Sequence, residues 1–142
     1  MDRTLASTAE DKDMIQQWIP FSEGEYLADR AFLVSRQEEA VALEHTIIKV
    51  YLDPDGQRQM HGRGRVVNLL VVDLLQDNDQ IDLALDLGQE FKYILPNPHL
   101  TAGKVFSPDV KSVLQFVPIQ PWKPVPPEAF EAFRSRLHFL NA

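Results

Sequence analysis

The sequence predicts an α+β domain: an antiparallel sheet of four to five strands around a long β-hairpin (41–75), with helices at the N- and C-terminal ends. Three observations carry this. Residues 41–52 are rich in Val, Ile, Thr and Tyr and run into Asp53-Pro54-Asp55-Gly56, a tight-turn sequence. Ile81, Leu83, Leu85 and Leu87 alternate with Asp82, Ala84 and Asp86, as in a strand with one buried and one wet face. Apolar residues at helical spacing mark both ends of the chain.

In chain order, the first element is a helix over about 8–19. Ser7 and Glu10 form a capping box, and Met14, Ile15, Trp18 and Ile19 share a face before Pro20 stops the helix. Residues 22–34 read either as a short helix to Arg30 or as a strand around Ala31-Phe32-Leu33-Val34. The β core spans about 31–95. In its hairpin, Pro54 presets φ, Asp55 tolerates the third turn position and Gly56 takes the left-handed one. That turn places Asp53 opposite Gln57, and the return strand runs from Gln57 to about Leu75. Residues 77–80 turn the chain into 81–87, and 90–95 form a further strand ended by Pro96. A proline-rich strap occupies 96–127, with 111–119 inside it readable as strand or helix. The last element is a helix over about 127–140, striped by Phe130, Phe133, Leu137 and Leu140.

Composition bounds the function. A chain of 142 residues with 44% hydrophobic content fits a single domain with its own core, 1–142. The net charge of −7 disfavours nonspecific attachment to nucleic acid or to anionic membrane. No apolar run reaches the roughly 18 residues of a membrane span, and the N-terminus lacks a signal-peptide pattern. With no cysteine, thiolate chemistry and Cys-based metal sites are excluded, and a cytoplasmic location is the expectation.

The most unusual stretch is Gln59-Met60-His61-Gly62-Arg63-Gly64-Arg65-Val66-Val67. The hairpin register sets Lys49 opposite His61, Ile47 opposite Arg63 and His45 opposite Arg65. Alternation then gathers His45, Lys49, His61, Arg63 and Arg65 on one face. Gly62 and Gly64 fall on the other, leaving a groove for the C-terminal helix or the strap. Like charges this close repel, so something anionic must compensate. The protein's own acids, Glu44, Asp82 or Asp86, are favoured because the chain holds 21 acids. The competing compensator is a phosphate or an acidic partner, which arginine's planar fork suits.

Catalytic patterns are poor. There is no phosphate-binding glycine loop, no His-Glu-x-x-His and no serine elbow, and the four histidines are scattered. Glu90 and Lys92, with Asp73 or Asp82, resemble the acidic-plus-lysine arrangement of the PD-(D/E)xK nucleases. That resemblance implies two carboxylates on a divalent cation and a lysine polarising the attacked phosphate. A surface Glu-Lys pair on a strand is the simpler reading. Trp122 and Pro124 lie in a polyproline-like run that docks on a partner or, more simply, tethers its own tryptophan to the core.

The functional expectation is a non-catalytic assembly or structural subunit working through contacts with another protein or with itself. It needs no cofactor and no catalytic residue. The alternative is a phosphate- or nucleic-acid-directed binder or enzyme using the His61-Arg63-Arg65 ladder. Self-association or a stable complex with a partner is expected, because the outer edges of the two long strands would otherwise be unpaired.

Overall fold

The β-formers before the Asp53 turn build one strand of 14 residues, and the other elements are arranged on it. A computed structural model describes residues 19–76, 80–102 and 111–141. The strands are β1 (Gly24–Leu27), β2 (Arg30–Ser35), β3 (Glu39–Leu52), β4 (Arg58–Val67), β5 (Ile81–Asp86), β6 (Lys92–Leu95), β7 (His99–Ala102), β8 (Lys111–Val117), β9 (Lys123–Pro124) and β10 (His138–Phe139). Two helices of nine residues, α1 (Asn68–Gln76) and α2 (Pro127–Ser135), complete the set among the described residues.

This corrects the expected architecture. The α+β layout of four to five strands between two terminal helices is replaced by one curled, mostly antiparallel sheet of ten strands with two short helices. Its order is β7-β8-β4-β3-β2-β5-β6-β9, with β1 and β10 also paired to β3. Residues 24–27 and 30–35 are strands, as is 111–117. The hairpin's return strand ends at Val67, and 68–76 is helical. The apolar run there sends Val71 and Leu74 into the core, and a run of that kind does not by itself distinguish helix from strand. The strap contributes β7 and β9, and the C-terminal helix stops at Ser135, with β10 taking the place of its last turn. The expected helix over 8–19 falls almost entirely outside the described residues, while Ile19 is buried in the core.

The β3–β4 turn keeps the register read from Asp53-Pro54-Asp55-Gly56. The Asp53 amide donates to the Gln57 carbonyl (2.9 Å) and Gly56 N–H to the Asp53 carbonyl (2.9 Å), with Gly56 at φ 79°. The Asp53 carboxylate accepts from the amides of Asp55 (3.0 Å) and Gln57 (2.9 Å), and these bonds hold it below the usual carboxylate range. Lys49 faces His61 and Ile47 faces Arg63.

Both edges of β3 are occupied. Along one, β1 and β2 follow a single register, with Leu27 opposite Ile47 and Ala31 opposite Leu43. Along the other, β4 runs as far as Glu44 and then leaves for α1. Beyond it β10 pairs in parallel with Glu39 and Ala40, and the Asn141 side chain takes both the N–H and the C=O of Ala42 (2.9 and 3.0 Å). The far edge of β4 is covered by β8 from Gly62 to Val67. Much of the edge on which self-association was expected is therefore paired within the chain.

The sheet thus has two halves sharing β3: β1, β4, β8 and β7 on its C-terminal part, and β2, β5, β6, β9 and β10 on its N-terminal part. Their inner sides form one core around Leu33, Val41, Ile48, Met60, Leu83 and Phe116. On the outer side of the second half, α2 buries Phe130 against Phe32 (ring centroids 5.8 Å apart) and Ala84. The expectation of a wet face on 81–86 is corrected accordingly: Ala84 and Asp86 lie under this layer and are buried. No helix among the described residues is long and apolar enough to cross a membrane.

Candidate functional site

Among the described residues the outer side of the first half carries no helix, and there the basic residues emerge. Alternation along β3 turns Thr46, Ile48 and Val50 inward, so Ile47 and Lys49 point out. On β4, Met60, Gly62, Gly64 and Val66 are buried, which turns His61, Arg63 and Arg65 outward. Lys49, Arg63 and Arg65 are exposed; His61 is half-buried, its ring 5.6 Å from Tyr51. His45 is also exposed, but it does not stand opposite Arg65. The register shifts between Glu44 and Ile47, so Glu44 faces Arg65, and His45 sits in the bulge at φ 49°. An extra residue here lets β3 bend from one half-sheet into the other.

That conformation is costly for a side chain with a Cβ. His45→Gly is expected to raise stability by about 0.5–1 kcal/mol and His45→Val to lower it, as read from denaturant midpoints. A loss of stability in the glycine variant would mean that the imidazole itself makes a stabilising contact.

The three acids expected to neutralise the ladder make their hydrogen bonds to other groups. Both Glu44 oxygens accept from Lys111 Nζ (2.8 Å), which holds the Glu44 carboxyl below its ordinary range. Glu44, opposite Arg65, is also drawn down by the charges of His45 and Arg65. Asp82 accepts from Gln80 Nε2 (3.1 Å) and the Asn97 amide (2.9 Å). Asp86, only 3% exposed, is bound by Arg30 Nε (2.8 Å) and Lys92 Nζ (3.1 Å). Among the described residues no carboxylate forms an ion pair with Lys49, His61, Arg63 or Arg65. Glu25 stands opposite Lys49 across β1 without pairing to it.

Four residues that sequence patterning did not single out complete the face. Leu27 on β1 is 67% exposed, Ile47 beside it is half-buried, and Val113 and Val117 on β8 are 43% and 40% exposed. Arg63 lies between Ile47 and Gln115, and Arg65 between Glu44 and Val113. The face is a central cationic row flanked by aliphatic side chains. The alternation of Leu114 and Phe116 with Gln115 was the available signal for which valines point outward.

The other candidates do not assemble into chemistry. Lys92 is buried against Asp86, away from a nuclease-like role beside Glu90. Among the described residues, no three His, Asp or Glu side chains are placed to hold a metal. Among the described residues, a cavity of about 380 Å³ beside Leu75, Ile81, Leu100 and Ile119 offers only His99 and Asn97 as side-chain polar groups, with no nucleophile and base in reach of one another. Trp122 is 7% exposed and packs on Tyr93 and Phe21 (ring centroids 5.4 and 6.2 Å), so it tethers the strap to the core. Pro124 is exposed on β9, opposite Tyr93. No family model, no curated protein and no solved structure matches the chain.

Proposed function

We propose that the protein is a non-catalytic interaction subunit that docks an acidic surface of another protein onto the outer face of β1, β3, β4 and β8. One observation carries the reading: Lys49, His61, Arg63 and Arg65 share an open face, while Glu44, Asp82 and Asp86 are engaged with other groups. The aliphatic flanks support a protein partner, since interfaces combine apolar contact with charge-assisted hydrogen bonds. A nucleic-acid role draws on the same cations. However, the face offers one exposed aromatic, Tyr51, among its described residues, whereas single strands are held by stacking on several.

The test is the double variant Arg63→Ala/Arg65→Ala. Removing two like charges that form no ion pair among the described residues is expected to leave the denaturant midpoint unchanged or slightly raised. Binding to poly-L-glutamate, used as an acidic protein surrogate, should fall more than tenfold, because each charge-assisted bond contributes about 1.5–3 kcal/mol. The binding should also weaken steeply with added salt. A fall in stability beyond about 1 kcal/mol, or binding that survives the substitutions, overturns the proposal.

A further inference from the structure

The two halves of the sheet differ on their outer side, and the covered half indicates what the bare half takes. On the covered half, α2 presents the sequence Pro127-Glu128-Ala129-Phe130-Glu131-Ala132-Phe133. Phe130 enters the sheet surface, and Glu131 from the same turn pairs with Arg30 on β2. The Arg30 guanidinium also lies over the Phe130 ring, 5.4 Å from its centroid. An amphipathic helix with Glu128 and Glu131 in its first turns and Arg134 in its last is thus held on this sheet by Phe130 and Phe133 and by one strand-borne arginine.

The other half repeats these ingredients with no helix over them among the described residues. Arg63 and Arg65 are two residues apart on β4, roughly 6.6 Å along the strand. Carboxylates at i and i+4 of a helix are separated by roughly 6 Å along its axis. A helix body is about 10 Å wide, close to two strand spacings, so one lying along β4 reaches the side chains of β3 and β8 on either side. Those positions hold Ile47 on one flank and Val113 and Val117 on the other. The acids of this face are Glu25, opposite Lys49, and Glu44, held by Lys111, so the central row faces none of its own carboxylates across an ion pair.

Building on the acidic-partner reading above, we infer that the open face takes an amphipathic helix of a partner protein, its carboxylates on Arg63 and Arg65 and its apolar side chains on Ile47, Val113 and Val117. Among the described residues the sheet's inner side is filled by the core, and most of the β3 and β4 edges is paired, which favours the outer face as the docking surface. A helix is favoured over an extended segment because extended segments pair with edges.

The experiment uses the whole protein and two synthetic peptides of roughly 18 residues, long enough to sustain a helix. Both contain the same residues, with glutamates at i, i+4 beside a leucine stripe in one and a proline-interrupted order in the other. Poly-L-glutamate and single-stranded polyuridylate are run alongside. The helical peptide is expected to bind at least tenfold tighter than its interrupted isomer. Arg63→Glu/Arg65→Glu should abolish that binding while keeping the wild-type unfolding midpoint, and Val113→Ser should weaken it severalfold with charge intact. Equal binding of both peptides overturns the helix but leaves an acidic partner standing. Failure of both peptides and of poly-L-glutamate overturns the acidic-partner reading as well. Preferential binding of polyuridylate replaces both with a nucleic-acid face. Dimerisation of the protein that the charge reversal abolishes, with no peptide bound, assigns the face to a second copy and overturns the inference.

Discussion

Gly62→Val is expected to destabilise the protein by about 3 kcal/mol or more, at the upper end of the range for overpacking a filled core. A Cβ built on Gly62 would stand 2.1 Å from Cζ of Phe116, a distance no pair of carbons tolerates. Phe116 lies directly opposite on β8 and is fully buried, so its ring has nowhere to retreat. The groove left by the glycine is therefore real, and it is filled by β8, which lies within the 96–127 strap, rather than by the C-terminal helix. Gly64 is less crowded: its Cβ would meet Thr46 Oγ1 at 2.8 Å and Leu43 Cβ at 3.1 Å. Gly64→Ala should therefore cost less than Gly62→Ala. Chemical denaturation of the three variants checks the order, and a Gly62→Ala midpoint equal to wild type would mean that Phe116 does not lie over the glycine. A Gly62→Ala/Phe116→Leu double variant should recover part of the loss, since the two sites share one space.

Asp86→Ala is expected to cost about 3–5 kcal/mol, the usual result of leaving a buried cation without its partner. The carboxylate accepts from Arg30, from Lys92 and from the Gly88 amide (2.9 Å), and its loss strands Lys92, itself 8% exposed. Burial alone would push the Asp86 carboxyl up; the bonds from Gly88, Arg30 and Lys92 together outweigh it and hold the group below the usual carboxylate range. A carboxyl depressed in the folded state contributes its stability above the unfolded value, near pH 4, and loses it as pH falls through the folded one. Wild-type stability should therefore drop between about pH 4 and the lower folded value, and Asp86→Asn should flatten that part of the curve. An Asp86→Asn profile parallel to wild type below pH 4 would assign the acid sensitivity to other carboxylates. Glu131, drawn down by its bond to Arg30, shifts in the same direction.

The parts of this fold visible in the sequence are those where local chemistry decides the backbone. Asp53, Pro54 and Gly56 each have one favourable place in a tight turn, so the register of β3 on β4 follows from them as far as Arg63. The alternation over 81–86 likewise announces β5. Other features lack such markers. The β2–β3 turn closes with Glu38 at φ 62°, and Ser35 Oγ accepts from the amides of Gln37 and Glu39 (3.3 and 3.1 Å), with no glycine, proline or asparagine between. The His45 bulge is silent for the same reason, and it moves the partner of Arg65 from His45 to Glu44. Short strands such as β7 and β9 owe their existence to a neighbour that supplies hydrogen bonds, which no local pattern encodes. The candidate face was legible as a row of cations; its state of neutralisation was not. Whether Glu44 reaches Arg65 or Lys111 depends on where β8 lies.

The place of β10 has a consequence for how the chain is made. The edge of β3 at Glu39 and Ala42 is closed by residues 138–141, about a hundred positions later in the chain. At ribosomal speeds of about 5–20 residues per second, that edge emerges roughly 5–20 s before its cover exists. During that interval Ala42 offers a bare N–H and C=O on an apolar strand, the kind of template on which nascent chains pair with one another. The final residues thus act as a late seal. A chain truncated before His138 should reach the soluble fraction in lower yield than its native-state stability alone would dictate.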